Sequence, residues 1–313
     1  MHKLKGIWFD GKNASYREDL KMPIPEKNES LVRILMAAVC NTDKEIMRGY
    51  RPDFQGVMGH EFVGVVEQSP KKELIGKMVV GELNATCGEC IYCKTGRYTH
   101  CNARRVLGMH DKDGCFAEYM TIDTSLLFEV PEGTEVDHAI YTEPLAAAYE
   151  ILTQITPSKD MPIAVLGDGR LAYCITQAFH EQGYRVTVIG KHPEKLALFA
   201  PYADTTTQKD TEAYEVVIEA TGSESGMRDA LSLVRKKGTI VLKSTYAGEV
   251  SLPLSQVAVN EITIVGSRCG PFAPAVDAIA GNRVSFPEIS LYELKDFEAA
   301  FTDRSFKAGF SFE

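Results

Sequence analysis

Four cysteines, Cys87, Cys90, Cys93 and Cys101, lie within the fifteen residues CGECIYCKTGRYTHC of a chain that holds eight in all. Thiolates at this spacing can fill the tetrahedral shell that zinc prefers and leave no position open, so the chemistry they predict is a structural staple, not turnover. Such a metal contributes on the order of 10 kcal/mol to ordering a local lobe, and the intervening KTGRYTH has little apolar material of its own. A second set of ligand-type residues is dispersed: Cys40 in VCNTDKE, His60 and Glu61 in MGHEFVG, and Glu143 in TEPLA. A thiolate, an imidazole and a carboxylate would supply three protein ligands and leave a place for water or substrate, the arrangement of a catalytic zinc. Taken singly, Cys40 also reads as a small buried hydrophobe and His60 as a hydrogen-bonded core histidine. Spacing alone does not bring the set together.

A third chemistry is written in Gly167-Asp168-Gly169-Arg170-Leu171-Ala172. It follows the apolar run PIAVLG and opens a helix-like segment, the context a dinucleotide fingerprint requires. Gly167 makes the tight turn, Gly169 lets backbone approach a pyrophosphate at the helix N-terminus beside Arg170 and Leu171, and Ala172 stands for the third glycine. The loop after the next strand, VTVI, decides the cofactor's flavour. An NAD binder usually places Asp or Glu there for the ribose 2′-hydroxyl, whereas this chain has Gly190-Lys191-His192. With no carboxylate after the strand to repel a 2′-phosphate and cations to attract it, the segment favours NADP over NAD; the competing reading makes Lys191 and His192 solvated loop charges.

The elements that must carry these residues divide the chain in two. Short strands separated by turn residues, among them ESLVRILMAAVC, HEFVGVVEQ, KMVVGEL and CFAEYMTI, predict a twisted, partly open β-domain over residues 1–145. From Pro162 the texture becomes strand, glycine turn, helix, strand, and EVVIEATG, GTIVLKS and ITIVGS continue it. That alternation predicts an α/β unit with a doubly wound parallel sheet over 146–283. The segment PEISLYELKDFEAAFTD is expected to return to the first domain and complete it over 284–313. The 313 residues are 44% hydrophobic and 25% charged, as in an ordinary globular protein. A net charge of −9 excludes a sequence-independent nucleic-acid binder. No run approaches a membrane span, and MHKLKGIWFDGK lacks the apolar stretch of a signal peptide. The expectation is a cytoplasmic protein that meets a small molecule, not nucleic acid or membrane.

Together these segments resemble the zinc-dependent medium-chain alcohol dehydrogenases over nearly the whole chain. The landmarks are Cys40-Asn41-Thr42-Asp43, Gly59-His60-Glu61, the four-cysteine lobe, Gly114-Cys115-Phe116-Ala117-Glu118-Tyr119, Glu143-Pro144-Leu145-Ala146, the glycine turn and Glu219-Ala220-Thr221-Gly222. The resemblance implies a GroES-like, partly open β-barrel beside a Rossmann domain, two Zn²⁺ per chain, and hydride transfer between NADP (or NAD) and a secondary alcohol or polyol, or its carbonyl. It puts Cys40 and His60 on the catalytic zinc, with Glu61 approaching it or exchanging with water. Glu143, in Glu-Pro-Leu, matches the third ligand of the polyol and glucose dehydrogenase branch. Asp43 would accept the other N–H of His60, Thr42 would bind the substrate oxygen and relay its proton, and Thr221 joins the cofactor residues. Homodimers and homotetramers are the family's habit. The chain departs from the pattern at Asn41, where some members continue the relay with histidine, at Cys115, where glycine is usual, and in a shortened stretch between Gly270 and Pro287. Two rival readings stand beside it: a zinc-independent NADPH reductase, which would lack the cysteine lobe and the Cys40/His60 pair, and a non-catalytic dinucleotide-binding member of the same fold.

Overall fold

The computed structural model describes residues 3–246 and 249–312. The chain parts into two compact units, Met1–Glu143 with Ile279–Gly281 and Phe286–Glu313, and Pro144–Ala278 with Asn282–Ser285. In the first unit ten strands alternate with turns: β1 (Lys3–Phe9), β2 (Ala14–Lys21), β3 (Glu29–Ala38), β4 (Gly56–Val57), β5 (Glu61–Gln68), β6 (Met78–Gly81), β7 (Asn84–Ala85), β8 (Arg105–Val106), β9 (Tyr119–Asp123) and β10 (Leu127–Glu129). One short helix, α1 (Asn41–Met47), follows β3.

The second unit holds β11 (Ile163–Leu166), β12 (Val186–Ile189), β13 (Asp204–Thr206), β14 (Tyr214–Glu219), β15 (Val234–Leu242) and β16 (Thr263–Gly266). They pair in parallel in the order β13-β12-β11-β14-β15-β16. This is the doubly wound order whose direction reverses between β11 and β14, where such sheets bind nucleotides at their carboxyl ends. The apolar runs that gave no alternation in the sequence are the central strands: IAVL of β11 is buried throughout because helices cover both faces. The helix Arg170–Glu181 after β11 buries every residue from Ala172 to Phe179.

The chain then returns to the first unit as β17 (Ile289–Tyr292) and β18 (Lys307–Ser311). They extend the larger sheet, β10-β6-β5-β3-β18-β17, with β9 also on β3. In this sheet β3 lies between β5 and β18, and its last residue, Ala38, stands opposite both Glu61 of β5 and Gly309 of β18. The ends of three adjacent strands therefore converge just before Cys40. No helix among the described residues is long and apolar enough to cross a membrane.

The loop that delivers His60 is held by backbone packed on backbone. Gly59 has φ +94°, and its carbonyl accepts the N–H of Cys115 at 3.0 Å. A Cβ on Gly114 would stand 2.1 Å from the Gly59 carbonyl oxygen and 2.4 Å from that of Met58, atoms that cannot rotate away. Gly114→Ala should lower stability by about 2–4 kcal/mol, while Gly266→Ala, where a Cβ meets open space, should shift it by less than about 0.5 kcal/mol; chemical denaturation of the two variants checks the contrast. Glu82, one residue beyond β6, is desolvated, and burial pushes its carboxyl up to about 7 from an ordinary 4.5. The folded state thus holds a proton that the unfolded chain releases, so stability should fall as pH rises from about 4.5 to about 7. Glu82→Gln should flatten that part of the stability profile.

Candidate metal centres and dinucleotide turn

Cys40 caps the first turn of α1, and the cap is closed by Asp43, whose Oδ2 accepts the Cys40 N–H at 2.8 Å. The other oxygen of Asp43 lies 3.3 Å from His60 Nδ1. Both atoms are buried without a hydrogen bond, so the pair is in contact but not aligned. Burial disfavours an imidazolium, yet the Asp43 carboxylate and the Cys40 sulfur outweigh it and raise the His60 pKa well above its ordinary value. His60 Nδ1 faces Asp43, which leaves Nε2 as the ring nitrogen for a metal. Cys40, His60 and Glu61 bring one ligand atom each within 4.8 Å of one another. A sulfur, an imidazole and a carboxylate at that separation, with negative charge in excess, fit a borderline-soft divalent cation such as zinc. Thr42 stands at the rim, half-buried, its Oγ1 3.7 Å from Cys40 Sγ.

Behind this group Lys307 of β18, 3% exposed, pairs with Glu61 Oε2. The pairing follows from the strand order, because β5 and β18 flank β3. A lone lysine opening KAGF carried no chemical motif in the sequence; its only signal was a charge at the head of an otherwise apolar strand. Cys115 is fully buried, donates to the Glu61 carbonyl at 3.4 Å, and has its thiol pushed up by burial. It is a core residue beside the group. Glu143, expected as a ligand, is not one of the three gathered atoms. It sits half-buried in the first turn of the helix Thr142–Gln154, where the positive helix end favours a carboxylate.

The four lobe cysteines gather into a second such group. Cys90 and Cys93 sulfurs are 3.6 Å apart, those of Cys101 and Cys87 3.5 Å, and those of Cys87 and Cys93 4.0 Å. Backbone N–H groups of Glu89 and Cys90 point at Cys87 Sγ, and that of Cys87 at Cys101 Sγ. Such donors favour thiolate: they lower the Cys87 pKa, and Cys90 falls to about 6, while desolvation pushes Cys93 up to about 11. Sulfurs at these separations, with backbone N–H groups pointed at Cys87 and Cys101, suit a closed metal shell.

In the second unit, the turns after β11, β12 and β14 enclose a cavity of about 320 Å³ lined by Gly167, Asp168, Gly169, Gly190, Lys191 and Thr221 among others. Gly167 has φ +130°, and a Cβ on Gly169 would project into open space. This is a cradle in which backbone, not side chain, meets a ligand, as a pyrophosphate requires. Arg170 and Leu171 open the helix at its edge, half-buried, and are not lining residues. Thr221 is anchored by the buried Glu219, whose Oε1 accepts its N–H at 2.7 Å and whose Oε2 accepts Tyr246 O–H at 2.6 Å.

The loop after β12 departs from the sequence reading. Asp168 Oδ2 accepts the N–H groups of Lys191 and His192 at 2.8 and 2.9 Å and lies 2.9 Å from His192 Nδ1. A carboxylate therefore stands at the loop after all, carried there by the glycine turn, and His192 is paired with it. Periodicity and motif spacing treat Asp168 as the variable position between two glycines, which is why the premise of an acid-free loop fails.

Residues 26–132 match the alcohol dehydrogenase GroES-like domain, and residues 171–280 the zinc-binding dehydrogenase domain. A sorbitol dehydrogenase of Halalkalibacterium halodurans is 26% identical over 296 residues, 87% of this chain and 86% of that protein. The crystal structure of the alcohol dehydrogenase rspB from E. coli, complexed with NADH, superposes with a TM-score of 0.89 at 22% identity over 100% of both chains. A zinc-binding dehydrogenase of Sinorhizobium meliloti bound to NADP gives 0.90 at 22% identity, over 99% of this chain and 100% of that one. The chain belongs to the zinc-dependent medium-chain alcohol dehydrogenases, with their GroES-like and Rossmann folds.

The Glu61–Lys307 pair gives a test of the first centre's electrostatics. Lys307→Met should cost about 3–5 kcal/mol by leaving a buried carboxylate without its partner, and adding Glu61→Gln should restore much of that loss. A double-mutant cycle in urea measures the coupling.

Proposed function

We propose that this chain is a zinc-dependent oxidoreductase that moves a hydride between a nicotinamide dinucleotide and a secondary alcohol or polyol, or the matching carbonyl. The observation that carries the reading is the convergence of Cys40, His60 and Glu61 within 4.8 Å, with Asp43 against the far nitrogen of the imidazole. In that reading Cys40, His60 and Glu61 hold one zinc, and Cys87, Cys90, Cys93 and Cys101 hold a second that staples their lobe. Zinc bound at the first centre would polarise a substrate oxygen and ease its ionisation, and the nicotinamide would take or give the hydride.

The chain's own groups supply the rest. Asp43 lies against His60 Nδ1 and, on metal binding, would take its N–H and orient the ring, as metal-bound histidines generally require. Lys307 holds one Glu61 oxygen, Oε2. Thr42 Oγ1, beside Cys40 Sγ, receives the substrate hydroxyl's proton and hands it outward. Gly167 and Gly169 admit the pyrophosphate to the backbone at the start of the helix Arg170–Glu181, and Thr221, braced by Glu219, closes the cradle. Glu143, in the first turn of the helix Thr142–Gln154, would be a further ligand of the first zinc, as the resemblance implies, and Asp168 at the loop after β12 weakens the case for NADP. By resemblance, we place the protein in the cytoplasm as a homodimer or homotetramer.

Metal analysis should find two zincs per chain, and turnover should appear on a panel of secondary alcohols and polyols. Cys40→Ser should keep one zinc and lower kcat by at least about a hundredfold. Retention of both zincs with unchanged turnover would overturn the assignment, and zinc without turnover on any substrate would favour the non-catalytic reading.

A further inference from the structure

We propose that Asp168 makes this chain prefer NAD(H) to NADP(H), by supplying from the glycine turn the carboxylate that NAD-binding relatives of this fold carry at the end of the second strand. The inference rests on the dinucleotide reading of the cavity given above.

Three N–H groups converge on one oxygen of Asp168: the backbone N–H groups of Lys191 and His192 and the His192 imidazole. These are backbone and imidazole donors that a 2′-phosphate would need from this loop, and the carboxylate already occupies them, which leaves the Lys191 side chain as the loop's remaining cation at the cavity. Among the described residues none of the three bonds Oδ1, and Asp168 lines the cavity. That oxygen is left to accept a ribose 2′-hydroxyl, the interaction by which a carboxylate selects NAD. A 2′-phosphate would instead meet a like charge and a loop whose N–H groups are spent, which is rejection by an unfavourable contact added to a lost favourable one.

Gly190 supports the same assignment. A Cβ there would stand 2.8 Å from both Cβ and Oδ2 of Asp168. The missing side chain at the end of β12 is therefore accounted for by the aspartate that fills its space, and it needs no 2′-phosphate to explain it. The acid that follows β11 thus stands against the end of β12. Burial alone would raise the Asp168 carboxyl, but the converging N–H groups hold it below the usual carboxylate range, so it is charged at neutral pH.

The test is fluorescence titration of the zinc-loaded protein with NADH and with NADPH, in wild type, Asp168→Asn and His192→Gln, with circular dichroism to confirm folding. Wild type should bind NADH at least tenfold more tightly than NADPH. Asp168→Asn should shrink that ratio at least fivefold, mainly by strengthening NADPH, and His192→Gln should not weaken NADPH selectively. Wild type that prefers NADPH, an unchanged ratio in folded Asp168→Asn, or a selective loss of NADPH in His192→Gln would each overturn the role of Asp168 while leaving the dinucleotide reading intact. Failure of wild type to bind either cofactor would overturn both.

Discussion

The first unit depends on one electrostatic problem, a buried concentration of negative charge. An imidazole and two carboxylates, His60, Glu61 and Asp43, meet the half-buried thiol of Cys40 where solvent barely reaches them: His60 is 3% exposed, Glu61 2% and Asp43 not at all. Burying unpaired carboxylates costs several kcal/mol each, and the structure offsets only part of that. Lys307 neutralises one oxygen of Glu61, and the Cys40 N–H satisfies one oxygen of Asp43. The remainder draws His60 toward its charged form. A divalent cation at the three gathered ligand atoms would balance the charge and define what the fold is built around.

The architecture supplies that meeting point with ordinary means. Antiparallel pairing of β3 with β5 and β18 sets Glu61 and Lys307 on either side of the β3 terminus, and the N-terminal turn of α1 fixes Cys40 and Asp43 immediately beyond it. Glycines at 59, 108 and 114 let three backbone segments touch behind His60. The second unit uses the same economy with a different ligand in view. Three parallel strand ends carry glycine or small-residue turns into one cavity, so backbone rather than side chains can line it.

Much of this was legible in the sequence because it rests on local pattern. The cysteine lobe, the strand-turn-helix around Gly167 and the texture change near Pro162 are short-range signals, and a parallel sheet follows from alternating strands and helices. What escaped was long-range. Lys307 is 246 residues from Glu61, so no spacing rule connects them. Asp168 is 23 and 24 residues from the two N–H groups it receives, and only the parallel pairing of β11 with β12 brings them together. Glu143 is a different case: it is named by a motif match to a family pattern, and its place at the start of the helix Thr142–Gln154 follows from no spacing rule that ties it to Cys40 or His60.

Whether zinc sits on Cys40, His60 and Glu61 is decided by an anomalous difference map recorded at the zinc edge from crystals of the purified protein. Two peaks per chain are expected. One should lie among the four lobe sulfurs, and the other within about 2.0–2.3 Å of Cys40 Sγ, His60 Nε2 and a Glu61 oxygen. A map with zinc in the lobe and none beside Cys40, from protein that still turns over its alcohol, would contradict the assignment.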